Sequence, residues 1–578
     1  MLFRSNQDFA GDLEVEAGEL HFANGVGLTN ANLTLGLGST SSRATLSADF
    51  DPSVLPAMNR VSIGGNLTFD SDGLLIVDLD DGNAATSFVP TYTEFRANGN
   101  VTIDPAAELV VRLQPGDYDL LNFDIVRSTG GMLTGSFDIR QDFFFYNLVG
   151  MDIGNTYRLN LTPTANTLAG AATTTNQREV GGALDNLRAA GSGGDPQLQT
   201  ILDSLNTIQA AQVGPALDAL SADSLAAATN VRLAAAARTW RSLSNRLALQ
   251  RNQSIGHHNT RQSRRAKARQ ERRERLRRRD GAGRRQRVDA APPALAPTEW
   301  SKPWVAWFEG SGAIGSLDSS DSQDYDYKLV GPILGADTAL KENLRVGFAI
   351  AGTRYLYDGD GSKDKGVANA VEGTLYGAWL TDPVELLIGA RYGHSWIDTD
   401  RYIPSGAGLN RVEGDYEGDE YGLYAEFTKA FGKPSKVEIA PLASVAYTHV
   451  RWDSFNESGS NILRMRVDSD DVDSAVTSLG FRLAAVRRMD DGLLIRPRFM
   501  ALWKREWADR EREISGQFVA GGGSQVLEGA EMPQDHAEVS LGWEIGYGAN
   551  ANLFIDWSGR FGEDLIENSL ALGVRAAW

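Results

Sequence analysis

The 578-residue chain has no cysteine, so it can form neither a disulfide framework nor a thiolate metal site, and it offers no thiol nucleophile. It also lacks any run of roughly 18 apolar residues, the length that a membrane-spanning helix requires. That second absence leaves a transmembrane β-barrel open, because barrel strands alternate apolar and polar residues and need no long apolar run. The remaining classes are therefore soluble proteins and outer-membrane barrels.

The opening stretch MLFRSNQDFAGDLEV has none of the basic, apolar and small-residue regions of a secretory signal. A barrel would have to be exported. The barrel interpretation below therefore predicts that this chain is the C-terminal part of a longer protein, or that its start is misplaced.

Residues 1–165 are rich in Gly, Asn, Asp and Thr with short β-branched runs, the pattern of many short strands with tight turns. Within them the segment Gly65–Asp70 recurs as Gly99–Asp104, and Asn32–Leu35 lies one further repeat upstream. A constant period over three copies is typical of stacked strand units. The sequence predicts a β-helical stalk; the alternative is a twisted β-sandwich with coincidental Gly-Asn turns.

Residues 166–300 change to a helical and then an Arg-rich composition, and we interpret them as a linker. Ser221 could cap a helix over residues 222–250. One apolar stripe runs along that helix and comprises Leu225, Thr229, Leu233, Ala236, Trp240, Leu243 and Leu247. Residues 261–280 also favour helix, and a Gly and Pro cluster follows them.

Residues 301–578 repeat with a period of two at membrane-spanning length. The last strand places one set of residues on a single face, which we predict to meet lipid and to carry the barrel-assembly signal: Leu570, Leu572, Val574, Ala576 and Trp578. Similar segments predict about twelve strands: 303–314, 326–340, 343–357, 368–380, 384–399, 414–431, 436–452, 472–487, 493–508, 534–548, 552–561 and 567–578. Short turns alternate with long polar loops at 358–367, 400–413, 453–471 and 509–533, as expected for periplasmic and outer connections.

The strands of a soluble β-protein would also alternate apolar and polar residues. The uninterrupted apolar face and the Trp and Tyr residues near strand ends favour a membrane barrel, and so does the mixture of Gly, Ser and charge on the other face. The alternation predicts these acids on the lumen face: Glu309, Glu385, Glu426, Glu438, Glu538, Glu544 and Asp556.

The basic block, 14 Lys or Arg against 3 Asp or Glu over residues 261–287, stands out in a chain of net charge -19. One hypothesis is a helical pore plug that the lumen acids hold, with these residues as its candidates: Arg264, Arg265, Arg269, Arg272 and Arg273. A solvated tether that binds an anionic surface is an equal alternative, and the helix 222–250 could fill the pore instead. Nucleic-acid binding is the least favoured reading, because no groove-reading fold accompanies the block.

Catalytic motifs are not recognisable. The six histidines are scattered, and the adjacent pair His257 and His258 has no nearby carboxylate. The calcium-loop-like start at Asp358 lacks the glycine and the terminal glutamate that such a loop needs. We expect no enzyme activity, no metal and no cofactor; a surface hydrolase would need its catalytic part upstream.

Several weak motifs occur in the order of a known family. They are Tyr325–Tyr327 followed by Gly335–Asp337, Val437–Pro441, the aromatic C-terminus, Tyr118–Leu121 with Gly135–Phe137, and Ala216–Ser221. On these motifs the chain resembles the autotransporter, or type V secretion, family over nearly its whole length. Trp578 stands where the family more often ends in Phe.

The resemblance implies an outer-membrane barrel that carries its own passenger to the cell surface and anchors it there. It implies outer-membrane lipid, the β-barrel assembly machinery and periplasmic chaperones as partners, no nucleic acid, and a monomeric barrel. The alternative function is an outer-membrane channel or adhesin in which residues 1–165 form a fixed domain.

Overall fold

The computed structural model describes residues 1–23, 25–38, 43–52, 59–80, 91–118, 121–246, 304–319, 322–341, 343–359, 363–381, 383–405, 408–432, 437–489, 493–510, 512–546 and 551–578. They form two compact units. The first contains residues 1–220 with 404–409 and 520–523, and the second contains residues 221–403, 410–519 and 524–578.

The first unit begins with seventeen short strands: β1 (Leu2–Phe3), β2 (Gln7–Val15), β3 (Gly18–Phe22), β4 (Leu28–Leu35), β5 (Ala44–Ala48), β6 (Arg60–Ile63), β7 (Leu67–Phe69), β8 (Gly73–Asp80), β9 (Thr91–Tyr92), β10 (Glu94–Ala97), β11 (Val101–Ile103), β12 (Glu108–Leu113), β13 (Leu121–Ser128), β14 (Leu133–Gly135), β15 (Asp138–Ile139), β16 (Tyr146–Asp152) and β17 (Thr156–Pro163). Parallel ladders run through β3-β5-β8-β12, through β4-β7-β11-β14 and through β6-β10-β13. The hairpin β16–β17 ends the third ladder in antiparallel pairing. The predicted β-helix is confirmed.

An asparagine ladder explains the 34-residue repeat. The side-chain oxygen of Asn32 accepts the backbone N–H of Asn66 at 2.7 Å, and that of Asn66 accepts the N–H of Asn100 at 2.8 Å. The residue before each upper asparagine must be glycine, because a Cβ at Gly65 or Gly99 would lie 2.3 or 2.2 Å from the amide oxygen below. The Gly-Asn pair therefore recurs where one coil stacks on the asparagine of the coil before it.

Helices follow the last strand: α1 (Leu168–Ala171), α2 (Thr175–Ala190), α3 (Pro196–Asn206), a short 3-10 turn (Ala210–Gln212) and α4 (Val213–Asp218). The Asp195 carboxylate caps α3 by accepting the N–H groups of Gln197 and Leu198, and Pro196 occupies the first helical position, where it needs no hydrogen-bond partner.

The second unit contains a short 3-10 turn (Asp223–Ala226), the helix α5 over residues 227–246, and the strands β18 (Trp304–Leu317), β19 (Tyr325–Lys341), β20 (Leu344–Gly359), β21 (Lys365–Thr381), β22 (Val384–Ser405), β23 (Gly408–Lys429), β24 (Phe431–Gly432), β25 (Glu438–Trp452), β26 (Phe455–Asn456), β27 (Met465–Val467), β28 (Asp470–Ala484), β29 (Arg487–Arg488), β30 (Leu494–Glu506), β31 (Arg512–Phe518), β32 (Gly521–Gly529), β33 (Asp535–Gly546), β34 (Ala551–Gly562) and β35 (Leu565–Ala577).

Twelve of these strands form a closed antiparallel barrel, which confirms the prediction of about twelve. The first strand, β18, pairs with the last, β35, from Val305 opposite Ala577 to Leu317 opposite Leu565. The ladder between β23 and β25 completes the circle. Among the described residues, no helix has the length and apolar character that a membrane-spanning helix requires.

The outer connections differ from the prediction in three places. Most of residues 400–413, predicted as a loop, extend the β22–β23 hairpin instead. Within this extension Arg401 is 1% exposed and forms a bidentate ion pair with Glu457 at 2.9 and 2.6 Å. Within the other two long connections, β26, β27, β31 and β32 form a small antiparallel sheet.

Candidate functional site: the barrel lumen and its helix

The helix α5 lies inside the barrel, in contact with inward-facing residues of most strands. Trp240 and Leu243 pack against Trp307, Ile333 and Leu387 of the wall. The prediction that Ser221 caps this helix was wrong. Ala222 occupies the N-cap position of the first turn and makes no side-chain hydrogen bond. The Ser221 hydroxyl accepts the Asp223 N–H at 3.4 Å.

The seven predicted lumen acids all lie on barrel strands. Six of them are at most 5% exposed, namely Glu309, Glu385, Glu426, Glu438, Glu538 and Glu544. The side chain of Asp556 is 12% exposed. The structure thus places these carboxylates away from the lipid-facing surface.

Arg232 of α5 forms two deeply buried ion pairs. Its Nη1 lies 3.3 Å from Glu372 Oε1, and its Nε contacts Glu420. Arg391 of the wall contacts the same two carboxylates. All four side chains are at most 1% exposed. An arginine on the helix is therefore held by two strands, β21 and β23, at once.

Arg241 faces another side of the barrel. Its Nε donates to Glu538 at 2.6 Å and its Nη1 to the Ser569 hydroxyl at 2.9 Å, and Glu567 lies 3.7 Å away. Lys504 also pairs with Glu538, at 2.5 Å. Strands β33 and β35 thus hold the helix opposite the carboxylates that bind Arg232.

Hydroxyl groups on α5 reach two further predicted acids. Ser242 donates to Glu309 at 2.5 Å, and Ser244 donates to Glu426 at 2.6 Å. At the last described turn, Arg246 pairs with Asp337 at 2.9 Å, a carboxylate that Arg345 also binds at 2.6 Å. With these contacts, hydrogen bonds and ion pairs to the barrel wall extend along α5 to its last described turn.

Wall arginines occupy most of the remaining predicted acids. Glu544 pairs with Arg496 at 2.7 Å and also contacts Arg575. Asp556 pairs with Arg498 at 2.5 Å. The Arg482 guanidinium lies 3.1 Å from Glu426 and 3.9 Å from Glu385.

The candidate plug residues, Arg264, Arg265, Arg269, Arg272 and Arg273, lie outside the described residues, so the plug hypothesis stays a prediction. The lumen acids that were expected to bind the plug already pair with other residues. The electrostatic argument for an Arg-rich plug is therefore weaker. The sequence analysis missed Glu372, Glu420, Glu567 and Asp337 as lumen acids. The same alternation of buried and exposed positions identifies all four.

Apolar packing complements the ion pairs. Trp240 stacks on Tyr424, with ring centroids 5.1 Å apart and 11° between the planes, and a Cβ at Gly389 would lie 2.8 Å from the Trp240 ring. Beside the helix remains a cavity of about 90 Å³ that Leu233, Ser474 and His536 help to line. The lumen beside α5 therefore has room for a few water molecules.

The outer surface of the last strand is apolar. Leu570, Leu572, Val574 and Trp578 are 49, 55, 47 and 59% exposed, and Ala576 lies on the same face. Arg575 between them is 2% exposed. This strand therefore has a lipid-compatible face outside and a charged face inside.

Residues 306–558 match the family model described as the autotransporter beta-domain. This chain carries an autotransporter β-domain. The barrel therefore belongs in the bacterial outer membrane. The geometry of the lumen, with one helix of the same chain inside a closed twelve-stranded barrel, agrees with that assignment.

Two curated relatives of this chain are named extracellular serine protease, both from Serratia marcescens. They are 24% identical over 589 and 490 residues, which cover 98 and 82% of this chain and 54 and 45% of the relatives. The chain thus spans about half the length of these relatives.

Among solved structures, the translocator domain of autotransporter NalP from Neisseria meningitidis is 14% identical, with a TM-score of 0.40 and coverage of 48% of this chain and 89% of that one. The β-domain of the Bordetella autotransporter BrkA is 19% identical, with a TM-score of 0.38 and coverage of 48 and 100%.

Proposed function

We propose that the β-domain carries the N-terminal part of its own chain across the outer membrane and anchors it on the cell surface. In this proposal residues 1–165 are the passenger stalk, residues 166–300 the linker with the pore segment, and residues 301–578 the translocator. The observation that carries it is α5, which connects the two units in sequence and is bound along the lumen of the barrel.

The direction of α5 supports an outward-facing passenger. Asp223 and Ser224, in the 3-10 turn before α5, contact Gln323 and Asp364. These two residues lie at the end of the barrel that carries the long connections. Arg246, at its described end, contacts Asp337, which Arg345 also binds, near the short turn after β19. Since short turns face the periplasm, residues before 221 would leave the barrel on the outer side.

The partners follow from the surfaces. The apolar face of β35 would meet outer-membrane lipid, and the strand with its terminal Trp578 would be the signal that the β-barrel assembly machinery reads. Periplasmic chaperones would hold the unfolded chain before assembly. A closed barrel with no free edge would act as a monomer, and the function involves no nucleic acid.

A second candidate, a surface serine protease, rests on the name of the two relatives. His21 lies 2.7 Å from the Ser47 hydroxyl and 2.8 Å from Asp49. Ser47 is only 3% exposed, however, and its hydroxyl donates to Glu19 at 2.5 Å, so the imidazole is not its base. We assign this cluster no catalytic role.

The proposal is tested by expressing the chain behind a bacterial signal sequence and adding protease to intact cells. We expect residues 1–165 to be lost while a barrel-sized fragment survives, because the lipid bilayer and the closed wall shield it. Cells permeabilised before digestion serve as the control for periplasmic protein. Full protection of residues 1–165 in intact cells would overturn the proposal.

A further inference from the structure

The cavity beside α5 contains buried nitrogen atoms that lack a hydrogen-bond partner. It measures about 90 Å³ and is lined by α5 and by strands that include β30, β33 and β34. His536 and Arg560, 7 and 4% exposed, line it. Among the described residues, neither the Nδ1 atom of His536 nor the Nε atom of Arg560 has a partner. A guanidinium N–H can only donate, so its burial here calls for an acceptor in the cavity.

The register of the barrel strands places Lys504 beside these two residues. Lys504 of β30 lies opposite His536 of β33. Two residues further along β33, Glu538 lies opposite Arg560 of β34. All four line the cavity, and α5 adds Arg241 to the lining. We define Lys504, His536 and Arg560 as the cationic pocket.

The carboxylates around the cationic pocket are too few to balance its charge. Glu538 is shared by Arg241 at 2.6 Å and Lys504 at 2.5 Å. Glu567 lies 3.2 Å from Arg560 and 3.7 Å from Arg241. Three cations thus share two carboxylates, and one positive charge is left over. A buried charge without a counter-charge is costly, so this arrangement favours binding of an anion.

The other charged residues that line the cavity do not supply the missing negative charge. Arg512 and Glu506 have opposite signs, and the charge of Glu506 acts on Arg512. The Glu506 carboxylate also accepts the Ser474 hydroxyl at 2.6 Å. Glu426 pairs with Arg482 of the wall at 3.1 Å. Each of these two carboxylates therefore already has a cation or a donor beside it.

The surroundings of His536 show the same excess of positive charge. Arg560, Lys504 and Arg241 all act on its imidazole as positive charges, and Glu538 acts on it as a negative one. Water molecules could accept hydrogen bonds from the buried N–H groups, but they would not neutralise the remaining positive charge. An anion in the cavity does both.

We propose that the cavity binds one small inorganic anion of the size of chloride at the cationic pocket. A cavity of about 90 Å³ has room for the ion and a few water molecules, since one water needs about 10–15 Å³. Beside Arg241, the anion neutralises positive charge where α5 meets the wall. The site goes beyond the proposed function, because it requires only the assembled barrel with α5 in place.

Equilibrium dialysis of the purified full chain in detergent against radioactive chloride tests the site. Gluconate, which is too bulky for the cavity, replaces chloride at constant ionic strength, so that screening of the protein surface stays the same. We expect one saturably bound chloride per chain. The absence of saturable binding would mean that the cavity holds water only, and it would overturn the inference.

Lys504→Gln removes the excess charge and one donor of the cationic pocket. We expect the affinity for chloride to fall at least ten-fold, the equivalent of about 1.4 kcal/mol, because a charge-assisted hydrogen bond is lost. The matched control is Arg498→Gln on the same strand, β30. Arg498 also faces the lumen, but it pairs with Asp556 at 2.5 Å and lines a separate, smaller cavity. Its substitution should leave the affinity unchanged.

Equal affinities of Lys504→Gln and Arg498→Gln would overturn the inference, since binding would then not depend on the cationic pocket. His536→Phe decides by the same measurement if Lys504→Gln gives no heat-modifiable barrel. This variant keeps all the charges of the cavity, but it removes the Nδ1 atom and fills part of the space. We expect it to lose saturable chloride binding, and unchanged binding would also overturn the inference.

Discussion

Arg232→Met is expected to release the helix α5 from the lumen wall. The substitution keeps an apolar stem but removes the guanidinium that lies between Glu372 and Glu420, and Arg391 alone then faces two buried carboxylates. Breaking a buried ion pair by removing one partner costs about 3–5 kcal/mol. The undocked population should therefore rise by about two to three powers of ten.

Single-channel conductance of the purified barrel in planar bilayers measures this effect, since an undocked helix leaves a wider pore. Arg178→Met, an exposed position on α2, is the control. Adding Glu420→Gln to Arg232→Met leaves Glu372 paired with Arg391 and should restore the low conductance in part. Conductance equal to that of the control would show that Arg232 does not hold the segment.

Leu572→Arg is expected to destabilise the barrel by about 2–4 kcal/mol, the cost of a cationic side chain on the lipid face near the bilayer midplane. Leu572 is 55% exposed and lies within β35, opposite Gly310 of β18 and Ile555 of β34, on the strand that closes the barrel. Urea unfolding of the protein in lipid vesicles gives the free energy directly.

The control introduces the same residue where water is available: Glu563→Arg in the exposed turn between β34 and β35. A free energy of unfolding for Leu572→Arg within about 0.5 kcal/mol of this control would mean that the exposed apolar face of β35 does not meet lipid.

Alternation with a period of two was enough to predict nearly the whole barrel. It placed ten of the twelve strands within about three residues of their bounds, because one face of each strand meets lipid and the other a crowded lumen. It failed at residues 400–413, most of which extend β22 and β23, and in which Arg401 forms a buried ion pair with Glu457. A buried ion pair between distant segments leaves no local periodic signal.

The passenger was predictable for a different reason. The side-chain oxygens of Asn32 and Asn66 accept backbone N–H groups of the next coil, which requires asparagine at the same place in each repeat and glycine before Asn66 and Asn100. Such a requirement leaves a strict repeat in the sequence. The β-helix could therefore be inferred before any pairing was known.

The identity of the pore segment could not be predicted with the same certainty. Residues 222–250 and 261–280 both favour helix, and charge alone pointed to the Arg-rich one. The structure places residues 227–246 in the lumen, where Arg232 and Arg241 find carboxylates and small alanines allow close packing. Whether a helix fits into the lumen depends on the shape of both. The shape of the lumen cannot be predicted from the periodicity of the sequence.

Single cysteines test the central claim most directly, because the chain has none of its own. Leu37→Cys lies in the β-helix and Met489→Cys beside a short barrel turn, and both positions are 50% exposed. The measurement is labelling of intact cells by a membrane-impermeant maleimide. Surface display predicts that Leu37→Cys is labelled and that Met489→Cys reacts only after the outer membrane is permeabilised. Labelling of Met489→Cys but not of Leu37→Cys in intact cells would contradict the account.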